Sequence, residues 1–157
     1  MLLEELVAEA TSRGLTIACA ESVTGGLLVA KLIDVPGSSA AVAGGVVAYT
    51  VAVKQSVLGV LAEVIEANGV VSEAVALAMA FRVRELFSAD VGVGTTGAAG
   101  PEGHGGRPAG TICVGSVGPA GEFSATAVRG GDRRAVREAA VGDALAVLAL
   151  ALGITAS

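Results

Sequence analysis

The sequence predicts an α/β fold: a three-layer α/β/α sandwich on a mixed sheet, in a single domain over residues 1–157. Three observations carry that expectation. Short apolar runs alternate with helical patterns through the first two thirds of the chain, as in parallel strands joined by crossover helices. Late in the chain, residues 111–117 and 123–128 flank Gly118-Pro119-Ala120-Gly121 and read as an antiparallel hairpin, which makes the sheet mixed. Finally, 157 residues are one domain's worth, and 53% hydrophobic residues with 3% aromatics imply a core of Ala, Val and Leu.

Each element has its own signal. Leu2, Leu3, Leu6 and Val7 recur at helical spacing, and Gly14 stands where a helix ends. Residues 15–20 form an unbroken apolar run, read as a buried strand. The run stops at Glu21-Ser22-Val23-Thr24-Gly25-Gly26, and a helix is expected over residues 24–34. Val35-Pro36-Gly37-Ser38-Ser39 is a turn cluster. A second strand ends in Val46-Val47-Ala48-Tyr49. Short helices follow over residues 51–58, carrying Lys54, and 61–67, closing at Asn68-Gly69. Ser72 is placed to cap a longer helix that reaches Phe87. Residues 90–95 read as a strand, and residues 97–110, with six glycines and two prolines, as a loop. After the hairpin, Gly130-Gly131-Asp132 leads into a last helix over residues 133–152.

Composition excludes several classes of function. A net charge of −5 offers no basic footprint for nucleic acid. Mean hydropathy is high at +0.74, yet the longest apolar run, residues 144–152, is far short of the roughly 20 residues of a spanning helix, so no membrane partner is expected. Met1-Leu2-Leu3-Glu4-Glu5 lacks the positive start of a signal peptide, and the expected location is cytoplasmic. Cys19 and Cys113 fall inside predicted strands and read as small buried hydrophobes. With one histidine they make no usual zinc site.

The stretch that organises the chain is Ala18-Cys19-Ala20-Glu21-Ser22-Val23-Thr24-Gly25-Gly26. A strand turning sharply into a helix leaves N–H groups that favour negative charge, and glycines let a ligand approach the backbone. Ser22 is then either a helix cap or a nucleophile beside an anion hole. Gly92-Val93-Gly94-Thr95-Thr96-Gly97 matches the dinucleotide fingerprint letter for letter but lacks the helix that must open at its last glycine. The loop after it is long and glycine-rich, so Thr95, Thr96 and the N–H groups of residues 97–100 are candidates to hold a phosphate or ribose, against the plainer reading of a mobile surface loop. Three groups compete to be the base for Ser22. His104 lies among glycines with nothing to hold its ring, and Lys31 falls about two turns into the helix. Lys54 follows a strand whose end should share the sheet edge with Ser22, where burial could lower its pKa and the Tyr49 hydroxyl could assist.

At these residues the chain resembles the CinA C-terminal-domain family, the nicotinamide-nucleotide amidases. The resemblance is carried by Ala20-Glu21-Ser22-Val23-Thr24-Gly25-Gly26, Asp34-Val35-Pro36-Gly37-Ser38-Ser39 and Gly44-Gly45-Val46-Val47-Ala48-Tyr49, and then by Gly69-Val70-Val71-Ser72-Glu73. It continues through Thr96-Gly97-Ala98-Ala99-Gly100-Pro101, Pro108-Ala109-Gly110-Thr111 and Gly131-Asp132-Arg133, with Val136-Arg137 in the last helix. It implies hydrolysis of the carboxamide of nicotinamide mononucleotide to nicotinic acid mononucleotide and ammonia. Ser22 is then the nucleophile, with Tyr49 and Lys54 completing the catalytic group. Substrate binding is expected at Glu21, Thr24, Gly25, Gly26, Thr96, Gly97, Ala99, Gly100, Arg133 and Arg137. No cofactor or metal is implied. The expected partner is a small pyridine nucleotide, together with a homo-oligomer, a dimer first, because so small and apolar a chain has surface to cover. One departure stands out: Thr50-Val51-Ala52-Val53 replaces the polar residues, often Ser-Asn-Glu-Ala, that the family usually has between its tyrosine and lysine. That departure supports an alternative, a catalytically impaired nucleotide-binding or competence-associated accessory module.

Overall fold

The computed structural model describes residues 2–154. Helix α1 (Leu3–Ser12) precedes strand β1 (Ile17–Glu21), and α2 (Leu27–Ile33) and a short 3-10 turn lead to β2 (Val42–Val47). Helices α3 (Val51–Ser56), α4 (Ala62–Asn68) and α5 (Glu73–Phe87) then return the chain to β3 (Val91–Gly97). The hairpin of β4 (Thr111–Gly118) and β5 (Gly121–Val128) precedes α6 (Arg133–Leu152). One five-stranded sheet results, in the order β2-β1-β3-β4-β5. β1 is parallel to both β2 and β3, whereas β4 runs antiparallel to both of its neighbours, β3 and β5. The sheet is therefore mixed, as the alternation followed by a hairpin predicts.

Side chains alternate across a strand, and both faces of β1 are covered. Ile17 and Cys19 join Val91, Val93, Ile112 and Val114 in a core with buried residues of α1, α2 and α6. Ala18 and Ala20 face the other way, onto Val75, Met79 and Val83 of α5 with Leu58 and Val60. These are the three layers expected. Helix α5 lies unusually close to the sheet. A Cβ added to Gly92 or Gly94 would collide with the main-chain oxygens of Ala80 and Ala76, and one on Gly115 with the Leu77 nitrogen. The first two glycines of the apparent dinucleotide fingerprint are thus filled by a helix.

Most boundaries shift by one to three residues, and two of the shifts bear on the site. α2 begins at Leu27 rather than residue 24, because Gly25 and Gly26 take left-handed φ values of 58° and 101° that hold the chain out of the helix. β2 ends at Val47, before Ala48 and Tyr49, and Thr50 caps α3 by accepting from the Val53 N–H at 3.2 Å. Among the described residues no helix is long and apolar enough to cross a membrane. Cys19 and Cys113 are free and buried.

Candidate active site

Three parallel strands present their C-terminal ends on one edge of the sheet, and the chain spends its reactive residues there. Ser22 follows β1, Tyr49 follows β2, and Thr96 and Gly97 close β3. Helix α3 turns Lys54 back under that edge, leaving it 2% exposed. The Lys54 Nζ donates to Ser22 Oγ at 2.9 Å and to the Tyr49 carbonyl at 3.3 Å, and Ser22 Oγ can donate to the same carbonyl at 3.4 Å. Lys54 has no salt-bridge partner among the described residues. Burial without a compensating charge disfavours the ammonium and lowers the lysine pKa from 10.5 to about 8. A serine hydroxyl in contact with an amine that is partly neutral near pH 8 has the parts of a nucleophile and its base.

The turn behind Ser22 is held from two sides. The Glu21 carboxylate is buried and accepts three N–H groups: Gly26 at 3.2 Å, Leu28 at 2.8 Å and Val29 at 3.0 Å. The helix N-terminus expected to receive an anion is therefore already filled by a side chain of the same turn. Arg137, reaching over from α6, donates from Nε to the Val23 carbonyl at 3.1 Å and from Nη2 to the Thr24 carbonyl at 3.0 Å. Thr24 is fully buried, with its hydroxyl 2.8 Å from that of Thr95. Glu21, Thr24, Gly25, Gly26 and Arg137 do not line the cavity in front of Ser22. Where the sequence predicts substrate contacts, the structure places supports of the turn. Thr95 is equally withdrawn, its carbonyl accepting the Ser22 N–H at 3.1 Å.

In front of Ser22 opens a cavity of about 520 Å³. Ser22, Lys54, Val23, Val51 and Val70 line it together with the loop from Thr96 to His104 and with Tyr49 and Arg133. The Arg133 guanidinium bridges its mouth, donating to the Gly100 carbonyl and to the Tyr49 phenol oxygen, both at 2.8 Å. Tyr49 is 58% exposed as a residue. What Tyr49 gives the serine–lysine pair is thus its main-chain carbonyl, while its hydroxyl, expected to assist the base, is turned to Arg133. The Thr96 hydroxyl is committed to the Val70 carbonyl at 2.9 Å. Ala99 and Gly100 are buried, and their N–H groups, like that of Val23, find no acceptor among the described residues. His104 lines the cavity from the loop, where its main chain pairs both ways with Arg107 at 3.0 Å. Its ring makes no hydrogen bond among the described residues. Val51 and Val70 also form cavity wall, a role that an apolar residue beside a turn does not signal in the sequence.

Fold and site together define a class: an α/β/α domain with a buried serine–lysine pair at the carboxyl edge of its parallel strands. A sequence model of the CinA C-terminal domain matches residues 1–152. CinA-like proteins of Frankia casuarinae and of an Anaeromyxobacter species are 47% identical over 133 residues and 45% identical over 148 residues. Those alignments cover 85% and 94% of this chain but only 31% and 36% of the relatives, so the chain spans about a third of their length. A solved CinA superfamily protein from Escherichia coli superposes with a TM-score of 0.88 at 32% identity, covering 95% of this chain and 90% of that one. A competence/damage inducible protein from Agrobacterium tumefaciens gives 0.88 at 35% identity, covering 96% and 95%. The chain belongs to the CinA family and matches its C-terminal domain.

Proposed function

We propose that this domain is a nicotinamide-nucleotide amidase, hydrolysing the carboxamide of nicotinamide mononucleotide to nicotinic acid mononucleotide and ammonia. The observation that carries the reading is the 2.9 Å contact between Lys54 Nζ and Ser22 Oγ at the base of the cavity. Neutral Lys54 takes the Ser22 proton as Oγ attacks the amide carbon. The resulting ammonium gives that proton to the departing nitrogen, so ammonia leaves and an ester to Ser22 remains. Water, deprotonated by Lys54, attacks the ester, and Oγ leaves and is reprotonated. The Tyr49 carbonyl orients the amine through this cycle.

The tetrahedral oxyanion needs donors. The Val23 N–H stands next to the nucleophile without an acceptor, and one such donor contributes about 3–4 kcal/mol to the transition state. On the same cavity wall, Arg133 and the N–H groups of Ala99 and Gly100 offer a cation and two donors to a phosphate. Val23, Val51 and Val70 in the lining suit a pyridine ring. The intact serine–lysine contact favours this reading over an impaired accessory module, despite the apolar residues between Tyr49 and Lys54. Ammonia release from nicotinamide mononucleotide by the purified chain tests it. Turnover that disappears in Ser22→Ala, with the fold retained by circular dichroism, is the expected result; a wild-type chain releasing no ammonia above the uncatalysed rate overturns it.

A further inference from the structure

Three carbonyls in a row are pinned around Ser22, and beside them the N–H of Val23, a residue of the cavity wall, has no acceptor among the described residues. In a trans peptide the C=O and N–H of one plane point in opposite directions, and the only cis bond among the described residues is Gly100–Pro101. Arg137 Nη2 holds the Thr24 carbonyl at 3.0 Å, which turns the Gly25 N–H of the same plane away from Arg137. That N–H donates to the Ser22 carbonyl at 3.1 Å. The Ser22 carbonyl is thereby fixed, and the Val23 N–H on the opposite side of its plane is left free beside Ser22 Oγ. Arg137 Nε holds the intervening Val23 carbonyl at 3.1 Å. Gly25 has a left-handed φ of 58°, and a Cβ there would stand 3.0 Å from Arg137 Nη2, so a glycine is needed both for the turn and for the arginine's approach. On the far side Glu21 takes the Gly26 N–H at 3.2 Å.

We infer that Arg137 is a positioning residue: it holds the peptide planes after Ser22 so that the Val23 N–H is set as the oxyanion donor. The inference rests on the amidase reading, since such a donor acts only where Ser22 attacks a carbonyl or an equivalent centre. With Arg137 gone, the Val23 carbonyl has no donor among the described residues and the Thr24 carbonyl keeps only the Leu27 N–H at 3.1 Å, so the two planes after the nucleophile lose the side chain that ties them together. The turn that carries the Gly25 N–H to the Ser22 carbonyl is then free to shift, and the Val23 N–H shifts with it. Arg137 lies outside the cavity wall, so the loss falls on the chemical step and spares substrate binding.

The experiment compares wild type, Arg137→Ala and Arg137→Lys in the full chain, with two readouts. The first is kcat and KM for ammonia release from nicotinamide mononucleotide across pH. The expected result for Arg137→Ala is a kcat lower by at least about 10²-fold, the usual effect of losing an oxyanion donor. KM changes less than about threefold and the pH midpoint stays at the wild-type value. Added guanidinium ion restores part of kcat, and Arg137→Lys is also slowed at unchanged KM. A kcat within about threefold of wild type, or a loss carried by KM, overturns the inference. The second readout is the rate at which a fluorophosphonate labels Ser22, measured by intact mass against Ser22→Ala. It uses the same donor without the nucleotide. A labelled wild-type chain without turnover overturns the amidase reading alone, and the labelling ratio still decides for Arg137. If Arg137→Ala does not fold, Arg137→Lys carries both comparisons. A wild-type chain that neither turns over nor labels overturns both claims.

Discussion

Folding takes the Lys54 amine out of water and surrounds it with a serine oxygen and a carbonyl, with no carboxylate to hold its proton. Below about pH 8 the ammonium donates to Ser22 Oγ; above it the neutral amine accepts the Oγ proton, and only this second state can start an acyl transfer. Turnover should accordingly rise with pH through about 8. Lys54→Met keeps the bulk and removes the base, and it should lower kcat by at least about 10²-fold. His104→Ala should leave kcat within about threefold, because that ring touches neither Ser22 nor any other described side chain by a hydrogen bond. Rates for the two variants, measured together, decide between lysine and histidine; an inactive His104→Ala beside an active Lys54→Met would transfer the role.

At the scale of elements, the site depends on how closely α5 lies on the sheet. Gly92 and Gly94 on β3 and Gly115 on β4 leave no room for a side chain, and β3 carries Thr96 and Gly97 directly to the cavity. Gly94→Ala must push α5 outward or bend β3, and overpacking of this kind costs about 1–3 kcal/mol. A lower midpoint in urea with an unchanged slope is the expected readout; a midpoint equal to wild type would mean that the helix shifts without strain. That closeness was half legible beforehand. The glycine spacing was visible, and the missing helix after Gly97 ruled out a dinucleotide turn, but nothing in one strand's sequence says which distant helix fills its glycines. The meeting of Ser22 with Lys54 was more legible, because parallel strand ends share an edge whatever their order. The role of Glu21 was not. Its reach forward to three N–H groups depends on two left-handed glycines that delay α2, a backbone detail that apolar periodicity does not carry. Tyr49 was legible in position but not in orientation, since the partner of its hydroxyl comes from α6, 84 residues later.

For the molecule as a whole, the buried lysine makes stability depend on pH in an uncommon direction. The unfolded chain keeps its Lys54 proton up to the ordinary value of 10.5, whereas the folded chain gives it up near 8. Between those values the unfolded state binds more protons, so raising the pH favours folding. Below about pH 8 both states are charged and the full burial penalty applies, on the order of 3 kcal/mol from the shift. Urea midpoints of wild type should therefore climb relative to Lys54→Met from about pH 8 to 10. Parallel curves for the two proteins would show that the amine is not desolvated.

The composition of the cavity mouth has an optical consequence. The chain has one tyrosine and no tryptophan, and that tyrosine is the half-exposed residue hydrogen-bonded to Arg133 at the entrance. Excited beyond the absorption of its three phenylalanines, the whole protein thus emits from a single phenol at the entrance to its own cavity. Without any label, the chain broadcasts the state of that doorway, and quenching by an incoming aromatic ring or an altered phenol–guanidinium contact registers against no background from elsewhere in the fold.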